Sequence, residues 1–179
     1  MKKLFIYSIV LLFISCEIKS NKELSSIVND DKIESNDEIK IETHNFESLK
    51  SLLNKKDDKT YVINFWATWC KPCVEELPVF EKLYSEYKDK NVDVILVSLD
   101  FPNQIDNRLI PFIKEHDLQP RVVLMADPDQ NTWIPKVSEK WSGAIPATLI
   151  YNKDTREFYE QSFSYELLNN EVSKFLKTN

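Results

Sequence analysis

The spacing of apolar positions changes several times along the chain, and each change marks an element. Residues 4–14 are apolar except for Ser8. That run suits the apolar centre of a signal peptide and falls short of the roughly 20 residues a membrane-spanning helix needs. Residues 17–40 scatter isolated Ile, Leu and Val among Ser, Asn, Asp, Glu and Lys. With no sustained period they read as a mobile tether, and a short helix over 24–28 would have little to pack on.

From residue 39 the pattern becomes regular. Ile39 and Ile41 alternate with Lys40 and Glu42, which predicts a brief strand. Asn45 caps a helix whose Phe46, Leu49, Leu52 and Leu53 recur at helical spacing. A charged loop spans 55–59. The nearly continuous apolar run 61–67 reads as a central strand covered on both faces. A long helix is expected over 70–87, bent at Pro78, and a second central strand over 92–99. Residues 107–116 read as a helix with Pro111 in its first turn, where a missing N–H costs little. A strand over 122–125, an Asp127-Pro128-Asp129 turn and a short helix over 133–139 follow. Residues 147–151 and 157–161 form a hairpin, and Ser164 caps a last helix with Tyr165, Leu168, Val172 and Phe175 on one face. Strands alternate with helices and then close with a hairpin and a helix, so the fold is an α/β sandwich around one mixed sheet.

Composition narrows the function. The chain has 179 residues, 42% of them hydrophobic, which suits one well-packed domain. It has a single glycine, Gly143, which excludes phosphate-cradling loops and dinucleotide fingerprints. His44 and His116 lie far apart, which argues against a histidine-based metal site. His44 has no partner that spacing indicates, and His116 falls at a helix C-terminus. The formal charge of −6 gives no electrostatic footprint for nucleic acid. Three cysteines remain, and the odd number needs an explanation.

Cys16 supplies it. After the positive start at Lys2 and Lys3, the sequence Leu12-Phe13-Ile14-Ser15-Cys16 resembles a bacterial lipoprotein signal. In that pattern a small residue precedes a cysteine that is lipidated and becomes the mature N-terminus; Phe13 departs from the more usual aliphatic residue. The division expected is a signal peptide over 1–15, a lipidated start and tether over 16–38, and a folded domain over 39–179. Each buried acyl CH₂ contributes about 0.8 kcal/mol, so several chains would hold the protein to membrane lipid through Cys16.

The remaining pair lies in Trp69-Cys70-Lys71-Pro72-Cys73, where the central strand turns into the long helix. Two thiols with this spacing on a first helical turn are close enough to form a small disulfide ring. The positive end of the helix dipole favours thiolate, the form that attacks disulfides. Lys71 adds a positive charge of modest effect if solvated, and Pro72 suits the opening of a helix. Half a zinc site or a stapling disulfide are the alternatives. Zinc would need two further ligands, and so short a loop gives a staple little entropy to remove.

These residues resemble the thioredoxin fold, and more narrowly the membrane-tethered TlpA and ResA-like thiol–disulfide oxidoreductases. The resemblance runs from about residue 39 onward. It is carried by Asn64-Phe65-Trp66-Ala67-Thr68-Trp69-Cys70-Lys71-Pro72-Cys73, by Glu76 and Pro78, and by Gly143-Ala144-Ile145-Pro146-Ala147-Thr148. It implies a thioredoxin-like three-layer α/β/α sandwich. It also implies that Cys70 attacks, that Cys73 resolves the mixed disulfide, and that the two close as a redox disulfide. Pro146 would follow a cis bond, against an ordinary trans turn as the alternative, with the backbone of Ile145 free to pair with an extended client. Asn64 departs from the titrating aspartate of cytosolic thioredoxins. Glu76, favoured over Glu75, would reach back one turn to tune the cysteines. A carboxylate there raises a thiol pKa and the helix dipole lowers it, and the sequence leaves their balance open. Trp66 and Trp69 read as packing and rim residues.

The reading that results is a lipid-anchored, monomeric reductant of protein disulfides at the periplasm-facing bacterial envelope, without cofactor or metal. Apocytochromes c are among the candidate clients, and a transmembrane thiol carrier would supply electrons. A redoxin-type thiol peroxidase and a non-catalytic tethered lipoprotein are the alternatives.

Overall fold

The computed structural model describes residues 39–176. The signal peptide expected over 1–15, the lipidation expected at Cys16 and the tether expected over 16–38 lie outside the described residues.

Six strands form one sheet: β1 (Glu42–His44), β2 (Thr60–Trp66), β3 (Val92–Ser98), β4 (Arg121–Met125), β5 (Ala147–Tyr151) and β6 (Arg156–Tyr159). Their spatial order is β1-β4-β3-β2-β5-β6. The first four run parallel, β5 runs antiparallel to β2, and β6 runs antiparallel to β5, giving the expected mixed sheet. Every residue of β2 is buried, as its nearly continuous apolar run requires of a strand covered on both faces.

Side-chain alternation along β2 divides the core into two layers. Val62 and Trp66 pack with Leu77, Phe80 and Leu83 of α2 (Lys71–Tyr87) and with Leu168, Val172 and Phe175 of α5 (Tyr165–Leu176). Tyr61, Ile63 and Phe65 face the other way. They pack with Phe46 and Leu49 of α1 (Phe46–Leu49) and Trp133 and Val137 of α4 (Gln130–Val137). Asn64 shares the α2 side with its even-numbered neighbours, so a polar side chain enters that layer by strand parity alone.

Several boundaries differ from the sequence expectation, each for a physical reason. The first strand is Glu42–His44 rather than the Ile39–Ile41 alternation, because only those residues meet partners on β4. Ile39 and Ile41 pack against the core without joining the sheet. The helix expected at 107–116 begins earlier and is irregular. A 3₁₀ turn (Pro102–Gln104) and a π turn (Ile105–Leu109) lead into α3 (Ile110–Glu115), with Ile110 N–H donating to the Ile105 carbonyl. Pro111 has no N–H, and its ring crowds the carbonyl four residues back, which a widened turn relieves. The α4 helix starts at Gln130, before the expected Trp133. The hairpin's second strand is Arg156–Tyr159. Glu160 leaves it to accept from the Ser142 N–H at 2.8 Å and from the Ser142 hydroxyl.

His44 does have a partner: Nδ1 lies 3.2 Å from Ser48 Oγ. His116 caps the C-terminus of α3 and stacks on Phe112 at 4.1 Å. The Asp127-Pro128-Asp129 stretch is a structural turn, in which Asp127 accepts from the Phe46 N–H at 3.1 Å and from the Asp129 N–H at 3.1 Å.

Candidate active site

The parallel strands β1 to β4 all point their C-terminal ends in one direction, and the cysteine pair sits at that end, beyond β2. The β2–β3 ladder closes with Trp66 opposite Ser98, and the chain then turns through Ala67 and Thr68 into α2. The Cys70 N–H donates to the Ala67 carbonyl at 3.1 Å, which tightens the turn. Cys70 is the N-cap of α2, in the extended conformation that position prefers. Its sulfur stands where a capping oxygen normally would, accepting from the Cys73 N–H at 3.3 Å.

Cys70 and Cys73 are joined as a disulfide with Cα atoms 5.3 Å apart. Cys70 is 6% exposed and Cys73 fully buried. Both are buried, and only Cys70 keeps any exposed surface. Trp69 is 51% exposed beside the pair. Lys71 projects into solvent and pairs loosely with Glu75 at 3.7 Å, so its charge reaches the sulfurs through water. Pro72 occupies the first turn of α2, where its missing donor is no loss.

The loop before β5 approaches from the other side. The Ile145–Pro146 peptide is cis, and the Ile145 carbonyl oxygen lies 3.7 Å from Cys70 Sγ. Once the disulfide is reduced, a Cys70 thiol has that carbonyl as an acceptor. The loop is pinned by Trp141, whose indole N–H donates to the Ala144 carbonyl at 2.8 Å, and by the Ser142–Glu160 bonds. Gly143 adopts φ +98°, a conformation that side-chain-bearing residues rarely take.

Beneath the disulfide, Glu76 is 3% exposed on the inner face of α2, three residues after Cys73. Its carboxylate accepts from the Asn64 amide at 2.9 Å and from the Phe163 N–H at 2.9 Å. Asn64 also reaches Thr148 Oγ1 at 3.2 Å. Burial pushes Glu76 up to about 7, opposed by the Phe163 and Asn64 hydrogen bonds. Glu75 is exposed. Of the two candidate glutamates, Glu76 is the one that faces the interior.

The fold brings Cys70, Cys73, Glu76, Ile145 and Pro146 together from segments far apart in sequence. Two features escaped the sequence reading. Phe163 contributes only a backbone N–H, which leaves no trace in residue identity. Asp100 ties Thr68 to the end of β3, and its signal was an acidic residue directly after an apolar strand.

Comparison with known proteins follows the same lines. A thiol–disulfide oxidoreductase ResA from Oceanobacillus iheyensis is 44% identical over 66 residues, covering 37% of this chain and 33% of that protein. A ResA from Bacillus cereus is 33% identical over 109 residues, covering 60% and 57%. The chain thus spans between a third and just over half the length of these relatives. A secreted thiol-disulfide isomerase from Corynebacterium glutamicum superposes with a TM-score of 0.58 at 14% identity, over 68% of this chain and 72% of that one. At that identity the likeness speaks to the fold, which is thioredoxin-like. A model of the AhpC/TSA family matches residues 36–156, the stretch holding β1 to β5 and the dithiol, and the chain belongs to that family.

Proposed function

We propose that this protein is a thiol–disulfide oxidoreductase that transfers two electrons from Cys70 and Cys73 to a disulfide in another protein. The observation that carries the reading is the placement of Cys70. It caps α2, accepts from the Cys73 N–H and faces the Ile145 carbonyl, and of the pair it alone keeps any exposed surface. The ResA relatives bear the same activity in their names.

In the reduced protein the N-terminal amides of α2 favour Cys70 as thiolate. The thiolate attacks one sulfur of a client disulfide. The client S–S bond breaks, a mixed disulfide forms, and the departing client sulfur leaves with the electron pair and takes up a proton. Cys73 then gives up its proton and attacks Cys70 Sγ. The client's second sulfur departs, is protonated in turn, and the Cys70–Cys73 disulfide closes. The client has gained two electrons and two protons, and an external dithiol must return them to this chain.

Glu76 is the group to handle the proton of buried Cys73. It titrates near neutrality and lies one helical turn away. Asn64, which does not titrate, holds it by hydrogen bond. Trp69 and Ile145 offer an apolar rim and a free backbone to an extended client.

The sequence features outside the described residues support an envelope setting. The apolar run 4–14 ending at Ser15-Cys16 fits a lipidated protein held to a membrane facing the periplasm. A transmembrane thiol carrier would return electrons there, and apocytochromes c awaiting haem are candidate clients.

The test is a Cys73→Ala trap. Without the resolving thiol, Cys70 should hold clients as mixed disulfides that dithiothreitol releases and mass spectrometry identifies. Absence of reducible adducts, with peroxide consumed faster than disulfides are reduced, would replace this reading with a peroxidase.

A further inference from the structure

We propose that Asp100 is a positioning residue for the Cys70 thiol, acting through Thr68. The proposal rests on the oxidoreductase reading for its biological meaning but not for its test.

The parallel ladder between β2 and β3 stops just before the dithiol. Its last regular tie is the Leu99 N–H donating to the Trp66 carbonyl at 2.8 Å. Beyond it the chains diverge, one into the Cys70 turn and the other into the 3₁₀ turn at Pro102. The sheet supplies no acceptor for the Thr68 N–H, and the Asp100 carboxylate takes its place. Asp100 Oδ2 accepts from the Thr68 N–H at 3.0 Å, and Oδ1 accepts from the Thr68 hydroxyl at 2.6 Å. One carboxylate thus grips both donors of a residue two positions before Cys70.

The grip is itself held. Oδ2 also accepts from the Ser98 hydroxyl at 2.8 Å, and the Asp100 N–H donates to Ser98 Oγ at 3.0 Å. Asp100 is 2% exposed and Ser98 fully buried, so water competes little for these bonds. A buried carboxylate is costly to desolvate and persists where it is hydrogen-bonded, and this one accepts three bonds.

The clamp should weigh differently in the two redox states. In the oxidised protein the S–S bond ties Cys70 to Cys73, so the sulfur is held whether or not Thr68 is gripped. Reduction removes that bond. Cys70 then depends on the start of α2 on one side and on the Thr68 anchor on the other. A sulfur that drifts from the α2 amides loses thiolate character, and displacement of a reacting atom by about 1 Å can cost 10²-fold in rate.

Substitutions separate position from charge. Asp100→Asn keeps every heavy-atom contact: the amide oxygen accepts from the Thr68 N–H and the Ser98 hydroxyl, while the amide nitrogen donates to a rotated Thr68 hydroxyl. Asp100→Ala removes the grip, and Thr68→Val removes only its hydroxyl half. The measurement is the carbamidomethylation rate of Cys70 by iodoacetamide in the reduced, full-length protein, read at the Cys70 peptide by mass spectrometry. No client is needed, so failure of the function reading leaves this test intact.

The expected result is a rate at or above wild type for Asp100→Asn. Asp100→Ala should fall by up to about tenfold at neutral pH as the thiolate fraction drops, and Thr68→Val to an intermediate level. An Asp100→Ala rate equal to or faster than wild type overturns the proposal. So does an Asp100→Asn rate that falls as far as that of Asp100→Ala. If Asp100→Ala does not fold, Thr68→Val decides, and an unchanged rate there overturns it.

Discussion

Glu76 carries a consequence for stability that its hydrogen bonds partly mask. Burial raises it from an ordinary value of 4.5 to about 7, although the Phe163 N–H and the Asn64 amide favour its ionised form. A folded-state value above the unfolded one means that the native state binds the proton more tightly. The resulting stabilisation is complete below about 4.5, declines as pH rises and is gone above about 7. The span corresponds to ~3 kcal/mol, at 1.36 kcal/mol per unit. Glu76→Gln should abolish this slope, because glutamine cannot ionise. The amide is accommodated by turning Asn64, whose buried Oδ1 has no hydrogen-bond partner among the described residues and can accept from it. Thermal melts from pH 5 to 8 should therefore converge at low pH and diverge in favour of the variant at high pH. A wild-type melting temperature as flat as the variant's over that window would refute the assignment. Gly143 offers a second test at this scale. A Cβ there would meet Ile134 Cδ1 at 3.2 Å, and φ is +98°. Gly143→Ala should cost about 1–3 kcal/mol in urea denaturation, and a neutral result would mean the loop re-forms freely.

At the scale of elements, the α1 cap shows how much one polar side chain decides. Asn45 accepts from the Ser48 N–H at 3.0 Å, and the Ser48 hydroxyl donates to the Asn45 carbonyl at 3.1 Å. A helix of four residues has few bonds of its own, so its place under β4 depends on this cap and on buried Phe46 and Leu49. Asn45→Ala should lower the unfolding free energy by about 1 kcal/mol while Asn45→Asp leaves it nearly unchanged, measured by urea titration. The cap was legible because Asn45 directly precedes helical apolar spacing. Strands β2 and β5 were equally legible, being largely apolar runs between polar turns. The segment around Pro111 was not. Its apolar residues fit a helical period, but the widening that accommodates a proline at that point is a backbone event with no signature in hydropathy. Within the site, Cys70, Cys73 and Gly143 stood out by residue type. Glu76 was separable from Glu75 only by helical parity. The Phe163 N–H, reaching Glu76 from 87 positions away, could not be anticipated without the fold.

For the whole molecule, topology separates two ends. Because β1, β4, β3 and β2 are parallel, the chain enters the sheet at Glu42 on the end opposite the one where β2 delivers Cys70. The lipid attachment proposed at Cys16 lies earlier in the sequence than this entry point, and the dithiol lies at the far end of the sheet from it. Attachment and redox chemistry should then be separable. Cys16→Ser should move the protein from the membrane fraction to the soluble fraction, since the acyl chains proposed there would supply the holding energy at about 0.8 kcal/mol per CH₂. The same variant, purified, should reduce a peptide disulfide at the wild-type rate, because the described contacts of Cys70, to Ala67, Cys73, Val74 and Ile145, all lie within the folded domain. Fractionation followed by immunoblotting checks the first half and a stopped-flow exchange assay the second. A variant that stays with the membrane would show that the apolar run 4–14 acts as an uncleaved anchor. One that is released but reacts several-fold more slowly would show that the N-terminal segment bears on the dithiol after all.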